Sequence, residues 1–179
     1  RLEAAAIRQP QPRRRSVSVT DDSPADRHNL PFALASFLGR ERECDSLQAG
    51  LAEHRLVTLT GAGGVGKTRL ALETAHRLVE RFPDGVWLVE LAPLADPAMV
   101  GPRVAATLGV PQRFEATTSD AWIAEFVEKR ALVVLDNCEH VLAAAATVAQ
   151  RLLERCTSVR ILATSREALS VGGELVWPV

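Results

Sequence analysis

Short apolar runs alternate along the chain with longer stretches in which apolar residues recur every three or four positions. The runs are rich in Val, Ile and Leu and predict β-strands at 55–60, 86–91, 131–135, 159–164 and 174–179. Strands that alternate with helices at this spacing indicate a mainly parallel sheet covered by helices on both faces. The pattern therefore predicts an α/β fold.

The helices are predicted from the same spacing. The helix after the first strand has an apolar face formed by Leu70, Ala71, Thr74, Leu78 and Phe82. An earlier short helix, weakened near its end by Gly50, has a buried side formed by Cys44, Leu47 and Leu51. A further helix is expected at 102–108, after a break at Gly101 and Pro102. Another is expected from Ser119 through Ile123, Phe126 and Val127 to near Arg130. A long helix is expected to carry on one face Val141, Leu142, Ala145, Val148, Leu152 and Leu153.

Residues 1–29 differ in composition from the rest of the chain. They contain Pro10, Pro12, Pro24 and the run Arg13–Arg15, with little periodic apolar content. We expect a disordered leader or interdomain linker there, followed by one core domain at 30–179. The chain opens on Arg1 rather than Met and stops inside a predicted strand, so we expect a fragment of a longer protein.

Composition narrows the class of protein. A hydrophobic content of 47% and a charged content of 24% over 179 residues suffice for one buried core. The formal net charge of -1 argues against a surface that is wholly a polyanion-binding field. No apolar run is long enough for a membrane span and the first residues do not form a signal peptide, so we expect a cytoplasmic protein without a membrane partner. The spacing of Cys44, Cys138 and Cys156 does not suggest zinc, and we expect them to be buried thiols.

A complete G-x-x-x-x-G-K-[ST] phosphate-binding loop follows the first predicted strand and precedes a predicted helix. Its glycines allow backbone N–H groups to point at phosphate oxygens near the helix N-terminus. Lys67 supplies a charge for the β- and γ-phosphates, and the Thr68 hydroxyl is suited to ligate Mg²⁺. The candidate nucleotide-binding residues are Gly61, Ala62, Gly63, Gly64, Val65, Gly66, Lys67, Thr68 and the adjoining Arg69.

Asp136 ends the third predicted strand and is expected to meet Thr68 at the Mg²⁺, because parallel strands place their ligands at their carboxyl ends. Asn137 occupies the next position, where many hydrolases carry a second acid, and an amide cannot take a proton from water. Fast hydrolysis is therefore not expected. Glu139 is a candidate base or polarising group, with an equally weighted alternative role as an acid in the first turn of the following helix.

Arg166 follows the fourth predicted strand and is expected at the same edge of the sheet. A guanidinium there could distinguish a triphosphate from a diphosphate. The alternative is that Arg166 is an exposed arginine on a surface loop and has no functional role. Lys67, Asp136, Glu139 and Arg166 are thus the candidate catalytic residues.

Four segments together resemble the signal-transduction ATPases with numerous domains, specifically their NB-ARC or AP-ATPase branch. They are FLGRE at 37–41, GAGGVGKT at 61–68, LVVLDNCEH at 132–140 and ILATSRE at 161–167. The match spans about 29–179 and is most similar to actinobacterial multidomain transcriptional regulators, LuxR-type or related. The resemblance implies a three-layer P-loop NTPase of the ASCE type, with strand order 2-3-4-1-5. It also implies that Arg40 contacts the adenine and ribose and that Arg166 contacts the γ-phosphate.

These observations lead to a signal-transduction switch that binds ATP or ADP with Mg²⁺ and hydrolyses ATP slowly. The resemblance implies that DNA is contacted only through domains absent here and allows nucleotide-dependent self-association. Two alternatives stay open: an active ATP hydrolase or motor, and a DNA-binding regulator that acts through Arg13–Arg15.

Overall fold

The computed structural model describes residues 27–32, 39–110 and 120–179. The strands are β1 Leu56–Thr60, β2 Val86–Glu90, β3 Leu132–Asp136, β4 Arg160–Ser165 and β5 Glu174–Pro178. The α-helices are α1 Glu41–Glu53, α2 Lys67–Leu78, α3 Val100–Thr107 and α4 Leu142–Arg155. Short 3₁₀ helices lie at Val79–Arg81, Pro97–Met99, Asp120–Phe126 and Cys138–His140.

The five strands form one sheet in the order β2-β3-β4-β1-β5, and every pairing within it is parallel. The predicted α/β fold and strand order 2-3-4-1-5 are confirmed. The consequence for the site is that β4 lies between β1, which leads into the phosphate-binding loop, and β3, which ends at Asp136.

Apolar side chains fill both faces of the sheet. On one face, Ile161 and Ala163 of β4 belong to a buried cluster that includes residues of α3 and α4. On the other face, Leu162 belongs to a second cluster that includes residues of α1 and α2. Because both faces are covered, the strands read as continuous apolar runs. None of the helices in the described segments has the length and apolarity needed to cross a bilayer.

Helix α1 buries Cys44, Leu47 and Leu51, as its apolar spacing predicts. Gly50 does not end this helix, which continues to Glu53. A Cβ atom at Gly50 would lie 3.0 Å from Leu175 Cδ2 of β5. The glycine therefore serves close packing between α1 and the edge of the sheet, which outweighs its low helix propensity.

Two predicted helices differ from those found. Helix α3 begins at Val100 rather than 102, because Pro102 falls in its first turn, where a backbone N–H has no partner within the helix. The α-helix expected from Ser119 to Arg130 is a 3₁₀ helix over Asp120–Phe126. Its tighter turn brings Ile123 and Phe126 onto one buried side and leaves Val127 42% exposed. Ser119 lies outside the described residues.

The outer edge of β2 is covered by a short segment of chain. His28 forms a parallel bridge with Val86, and the Asn29 amide bonds both backbone groups of Leu88. Asn29 Nδ2 donates to Leu88 O at 2.8 Å, and Leu88 N donates to Asn29 Oδ1 at 2.6 Å. The predicted boundary between leader and core falls at this contact. Residues 1–26 of the predicted leader, and the first two residues of the FLGRE segment at 37–41, lie outside the described residues.

Candidate nucleotide-binding site

The phosphate-binding loop joins β1 to α2 at the carboxyl edge of the sheet. Gly61, Gly64 and Gly66 have φ values of 149°, 83° and 96°, a region that side chains with a Cβ rarely adopt. A Cβ at Gly61 would also lie 2.9 Å from the Val179 carbonyl oxygen, whereas one at Gly64 would meet nothing within 4 Å. The curl of this loop therefore depends on glycine, and open space lies beside Gly64.

Lys67 is the first residue of α2 and folds back onto the loop. Its ammonium donates hydrogen bonds to the carbonyl oxygens of Gly61 at 2.8 Å and Ala62 at 2.9 Å, and the residue is only 8% exposed. These neutral acceptors leave the positive charge without a carboxylate partner. The arrangement holds a cation against the loop, where an anion would be a stronger partner than the carbonyls.

Asp136, at the end of β3, is held by two hydroxyl groups from two other elements. Thr68 Oγ1 of α2 and Thr164 Oγ1 of β4 each donate to Asp136 Oδ1 at 2.7 Å. Thr164 Oγ1 in turn accepts from the backbone N–H of Asn137 at 2.9 Å. The predicted meeting of Thr68 and Asp136 is therefore present, and Thr164 is a third member that the sequence prediction missed.

Asn137 is held in the left-handed region, with φ 66° and ψ 56°. Its side-chain amide lies 3.4 Å from His140 Nδ1. His140 Nε2 lies 3.0 Å from the Leu91 carbonyl oxygen and 3.1 Å from that of Leu94. Because carbonyls only accept, Nε2 carries the proton and Nδ1 is the acceptor for Asn137. His140, which the prediction did not single out, thus ties Asn137 to the segment after β2.

Arg166 and Glu139 lie together beside the loop. Arg166 Nε is 3.5 Å from Glu139 Oε1, and the side chains are 68% and 20% exposed, respectively. The other carboxylate oxygen, Glu139 Oε2, is buried without a hydrogen-bond partner among the described residues. A Cβ at Gly63 would lie 3.7 Å from Arg166 Nη2, so the guanidinium borders the loop. Glu139 lies in the first turn of the 3₁₀ helix at Cys138–His140, which precedes α4.

Arg40 approaches the loop from the start of α1. Its Nη2 donates to the Val65 carbonyl oxygen at 3.3 Å, and its Nε lies 3.3 Å from Glu43 Oε2. A Cβ at Gly66 would lie 3.7 Å from Arg40 Nη1. Arg69 is exposed in the first turn of α2. Arg40, Arg166 and Lys67 therefore place three positive groups around one loop.

The residues present fit a nucleotide with Mg²⁺. A hydroxyl and a carboxylate oxygen lie 2.7 Å apart at Thr68 and Asp136, and hard oxygen ligands of this kind suit Mg²⁺. No group of three or more His, Cys, Asp and Glu side chains that could hold a metal occurs among the described residues. Mg²⁺ is typically bound by one or two carboxylates together with phosphate and water oxygens. A site with only two protein ligands, Thr68 and Asp136, is therefore compatible with this ion.

A family model described as an AAA domain matches residues 51–171. The chain belongs to this family. The match covers the loop, Asp136, Thr164 and Arg166, whereas Arg40 precedes the matched residues.

Two mycobacterial relatives place the AAA domain within larger proteins. An uncharacterized protein of Mycobacterium tuberculosis is 38% identical over 152 residues, which are 85% of this chain and 39% of that protein. A second protein of the same species, named as an HTH-type transcriptional regulator, is 43% identical over 133 residues, which are 74% of this chain and 15% of that protein. The chain thus spans a minor part of the length of either relative.

Two solved structures share the fold of the AAA domain. The ORC2 protein of Aeropyrum pernix, solved as ADPNP-ADP complexes, has a TM-score of 0.59 at 16% identity, covering 83% of this chain and 50% of that one. A signal-transduction ATPase with numerous domains from Pyrococcus horikoshii has a TM-score of 0.51 at 17% identity, covering 83% of this chain and 24% of that one. The predicted P-loop NTPase fold is confirmed.

The three cysteines of the chain, Cys44, Cys138 and Cys156, are free and buried, as expected. Cys138 lies between Asn137 and Glu139, and its Sγ donates to the Leu135 carbonyl oxygen at 3.5 Å. Burial, followed by the nearby charges of Asp136 and Glu139, raises the pKa of Cys138 to about 12. The thiol is therefore protonated at neutral pH and packs as a small apolar side chain.

Proposed function

We propose that the chain is an ATP- and ADP-binding switch domain of a transcriptional regulator, with slow Mg²⁺-dependent ATP hydrolysis. The observation that carries this proposal is the convergence of Lys67, Thr68, Asp136 and Arg166 on one glycine loop. Phosphate groups are the ligands that combine such a loop, a helix N-terminus and several cations.

Binding rests on residues already positioned around the loop. Backbone N–H groups at the start of α2 and the Lys67 ammonium bind phosphate oxygens, and Lys67 exchanges two carbonyl acceptors for stronger anionic ones. Arg40 lies on the α1 side of the loop, where the family resemblance assigns the adenine and ribose. Arg69, exposed in the first turn of α2, adds positive charge to the same end of the helix.

Thr68 and Asp136 are the side chains proposed to hold Mg²⁺, whose chemistry is to neutralise charge on the phosphate oxygens. Thr164 orients Asp136 by donating to its Oδ1. The same hydroxyl accepts from Asn137 N, so the end of β3 is fixed by the neighbouring strand. We therefore assign Thr164 as a positioning residue for the metal site.

Arg166 is proposed to discriminate between the two nucleotides. It lies beside Gly63 and is paired with Glu139 by a contact of 3.5 Å that is largely open to solvent on the arginine side. A γ-phosphate, with more negative charge than a carboxylate, offers this guanidinium a stronger partner. If Arg166 pairs with the γ-phosphate, it releases Glu139. The ATP-bound and ADP-bound states of the domain would then differ in the contacts of Arg166 and Glu139, and this difference would let the nucleotide shift the equilibrium between them.

Slow turnover follows from the groups available to activate water. Asn137 cannot accept a proton from water and is engaged by His140 at 3.4 Å. Glu139 is the remaining candidate base, and its Oε1 is paired with Arg166. Since the residue after Asp136 is an amide rather than a second acid, we propose a switch rather than a motor.

The regulatory context comes from relatives. One mycobacterial relative is named as an HTH-type transcriptional regulator, and Streptomyces coelicolor AfsR, named as a regulatory protein, is 35% identical over 134 residues. We infer that the chain is an NB-ARC-like module at 30–179 of a larger cytoplasmic regulator. DNA would be contacted through other domains, and self-association could depend on the nucleotide.

Calorimetric titration with ATP and ADP in the presence of Mg²⁺ tests the proposal. We expect Lys67→Ala to abolish binding of both nucleotides and Arg166→Ala to weaken ATP binding while leaving ADP binding nearly unchanged. Arg103→Ala, at an exposed arginine of α3, is the matched control. Equal losses of both affinities in Arg166→Ala would refute the sensor role, and no uptake of either nucleotide at millimolar concentration would refute the whole proposal.

Steady-state phosphate release separates the switch from the hydrolase or motor. A rate below about one per minute supports the switch, whereas several turnovers per second would favour the motor. The Arg166→Ala and Lys67→Ala variants serve as references in the same assay. DNA binding through residues 13–15, which lie outside the described residues, is tested by gel retardation before and after deletion of residues 1–28.

A further inference from the structure

A cavity of about 380 Å³ opens at the amino-terminal edge of the sheet, opposite the phosphate-binding loop. It lies where α1 and α2 end and where β3 and β4 begin. Its volume falls within the range of about 300–1,000 Å³ that is typical of small-molecule sites. The lining residues are Gln48, Leu51, Ala52, Leu78, Arg81, Phe82, Arg130, Thr157, Ser158 and Arg160.

The lining combines an apolar base with basic walls. Leu51, Leu78 and Phe82 are buried, with exposed fractions of 2%, 2% and 5%. Arg81, Arg130 and Arg160 provide three guanidinium groups, and none of the described lining residues is acidic. Apolar surface beside cations suits a ligand that has an apolar body and an anionic group.

One of the three guanidinium groups already has a structural role. Arg160 donates from Nη1 to the His54 carbonyl oxygen at 3.0 Å and from Nη2 to that of Ala52 at 3.1 Å. These carbonyls lie at the C-terminal end of α1, where a cation is favourable. Arg160 therefore stabilises the helix end and contributes to the cavity mainly through its charge.

Arg81 and Arg130 differ from Arg160 in this respect. Both are exposed, and their guanidinium groups form no hydrogen bond or ion pair with any described residue. Arg130 contacts Asp84 through its backbone N–H, which donates to Asp84 Oδ2 at 2.8 Å, while Lys129 Nζ donates to Asp84 Oδ1 at 3.1 Å. Two guanidinium groups on the wall of the cavity are thus available to an external anion.

The excess of positive charge around the cavity also favours an anionic ligand. Burial, and then the positive charges of Arg55 and Arg130, lower the pKa of Arg160. Arg55 itself donates from Nη1 to the carbonyl oxygens of Leu153 and Cys156, at the end of α4. Cations therefore accumulate at this edge of the sheet without matching carboxylates in the cavity lining, and a bound anion would relieve their mutual repulsion.

We propose that this cavity binds a small organic anion, in which a carboxylate or phosphate group is joined to an apolar body, through Arg81 and Arg130. The anionic group would pair with the two guanidinium groups, with Thr157 and Ser158 as neutral hydrogen-bonding neighbours. The apolar body would lie against Leu78 and Phe82. None of these residues belongs to the proposed nucleotide site.

Ligand-observed NMR titration of the 179-residue chain tests this site with 1-naphthoate and 1-naphthyl phosphate, against neutral 1-naphthalenemethanol. Measurements are made in saturating ADP, so that a phosphate probe does not report on the phosphate-binding loop. We expect saturable binding of at least one anion and much weaker binding of the alcohol. Preference for naphthoate or for naphthyl phosphate identifies which anionic group the site selects.

The double variant Arg81→Gln/Arg130→Gln is expected to weaken anion binding by about tenfold or more, since it removes two charge-assisted contacts. Arg103→Gln is the matched control and is expected to leave the affinity unchanged. Unaltered thermal unfolding of the double variant shows that it folds. The proposal is overturned by equal binding of anion and alcohol, by no saturable binding at millimolar probe, or by equal losses in the double variant and Arg103→Gln.

Discussion

Arg166 and Glu139 form an ion pair of 3.5 Å beside the phosphate-binding loop, and the second oxygen of Glu139 is buried without a hydrogen-bond partner among the described residues. The arginine is exposed while the acid is mostly buried, so the arginine is the partner that can move. The pair therefore places an exposed cation and a mostly buried carboxylate beside the loop that we propose binds phosphate.

The first prediction concerns Glu139→Gln. The substitution removes the charge that holds Arg166, so Arg166 is freer to pair with a γ-phosphate. We expect the ratio of ATP to ADP affinity to rise by about two- to fivefold, the size expected for a partly exposed ion pair. Calorimetric titration of both nucleotides measures the ratio.

The Arg166→Ala/Glu139→Gln double variant completes the thermodynamic cycle. If Glu139 acts only through Arg166, adding Glu139→Gln to Arg166→Ala leaves the ratio as it is in Arg166→Ala alone. A further change of similar size in that background would contradict the pairing as the cause.

The second prediction concerns Thr164→Val. The change keeps the shape of the side chain but leaves the Asn137 N–H without its acceptor and Asp136 without one of its two donors. We expect the free energy of unfolding to fall by about 1–3 kcal/mol, the cost of an unsatisfied polar group in a buried position. Urea denaturation measures this change.

Thr147→Val, at an exposed threonine of α4, is the matched control and is expected to change stability by less than about 0.5 kcal/mol. Thr164→Ser retains the hydroxyl and is expected to recover most of the loss. If Thr164→Val were as stable as the unaltered chain, the hydroxyl would have no supporting role at Asp136.

The third prediction is a pH dependence at Asp84. The hydrogen bond from the Arg130 backbone N–H, and then Lys129, lower the pKa of Asp84 below its ordinary value of 3.8. A carboxyl whose pKa is lower in the folded state stabilises the fold above its unfolded pKa and loses that contribution as the pH falls through the folded pKa. Asp84→Asn is therefore expected to destabilise the chain at pH 7, by about 1 kcal/mol.

Urea denaturation at several pH values tests this sign. The difference between Asp84→Asn and the unaltered chain is expected to shrink progressively below about pH 4. Asp45→Asn, at a carboxylate that is 72% exposed, serves as the control and is expected to have little effect at any pH. A difference at Asp84 that stayed constant down to the lowest pH would show that its charge is not involved.

The fourth prediction concerns the Cys138 thiol. A pKa raised to about 12 and complete burial leave almost no thiolate at neutral pH. We expect Cys138 to resist a disulfide reagent in native buffer and to react fully in urea, as followed by mass spectrometry of its peptide. Rapid native labelling of Cys138 would mean that the segment after β3 opens readily.

Much of the fold follows from local patterns in the sequence. The apolar runs around β1 and β3 are buried on both sides, which is why a simple search for apolar segments finds them. The loop at 61–68 is defined by glycines that the observed φ values require. The strand order is different in kind, because it rests on the family resemblance and no local pattern encodes it.

The elements that were missed depend on contacts between distant parts of the chain. Thr164 contributes to the proposed metal site only because β4 lies between β1 and β3, and its only signal in the sequence is a hydroxyl directly after the apolar run at 161–163. Gly50 is tolerated in α1 because Leu175 packs against it. The helix type at Asp120–Phe126 likewise could not be read from spacing, since i and i+3 apolar residues suit both α and 3₁₀ geometry.

The hydrogen bonds of the Asn29 side chain affect how the outer edge of the sheet can pair with another chain. An outermost strand normally offers free amide and carbonyl groups on which another chain can assemble, and this is a common start of aggregation. At Leu88 both groups are taken by one asparagine amide, which imitates a neighbouring strand without extending the sheet. Asn29 therefore leaves neither backbone group of Leu88 free to pair with a strand of a second copy along that side.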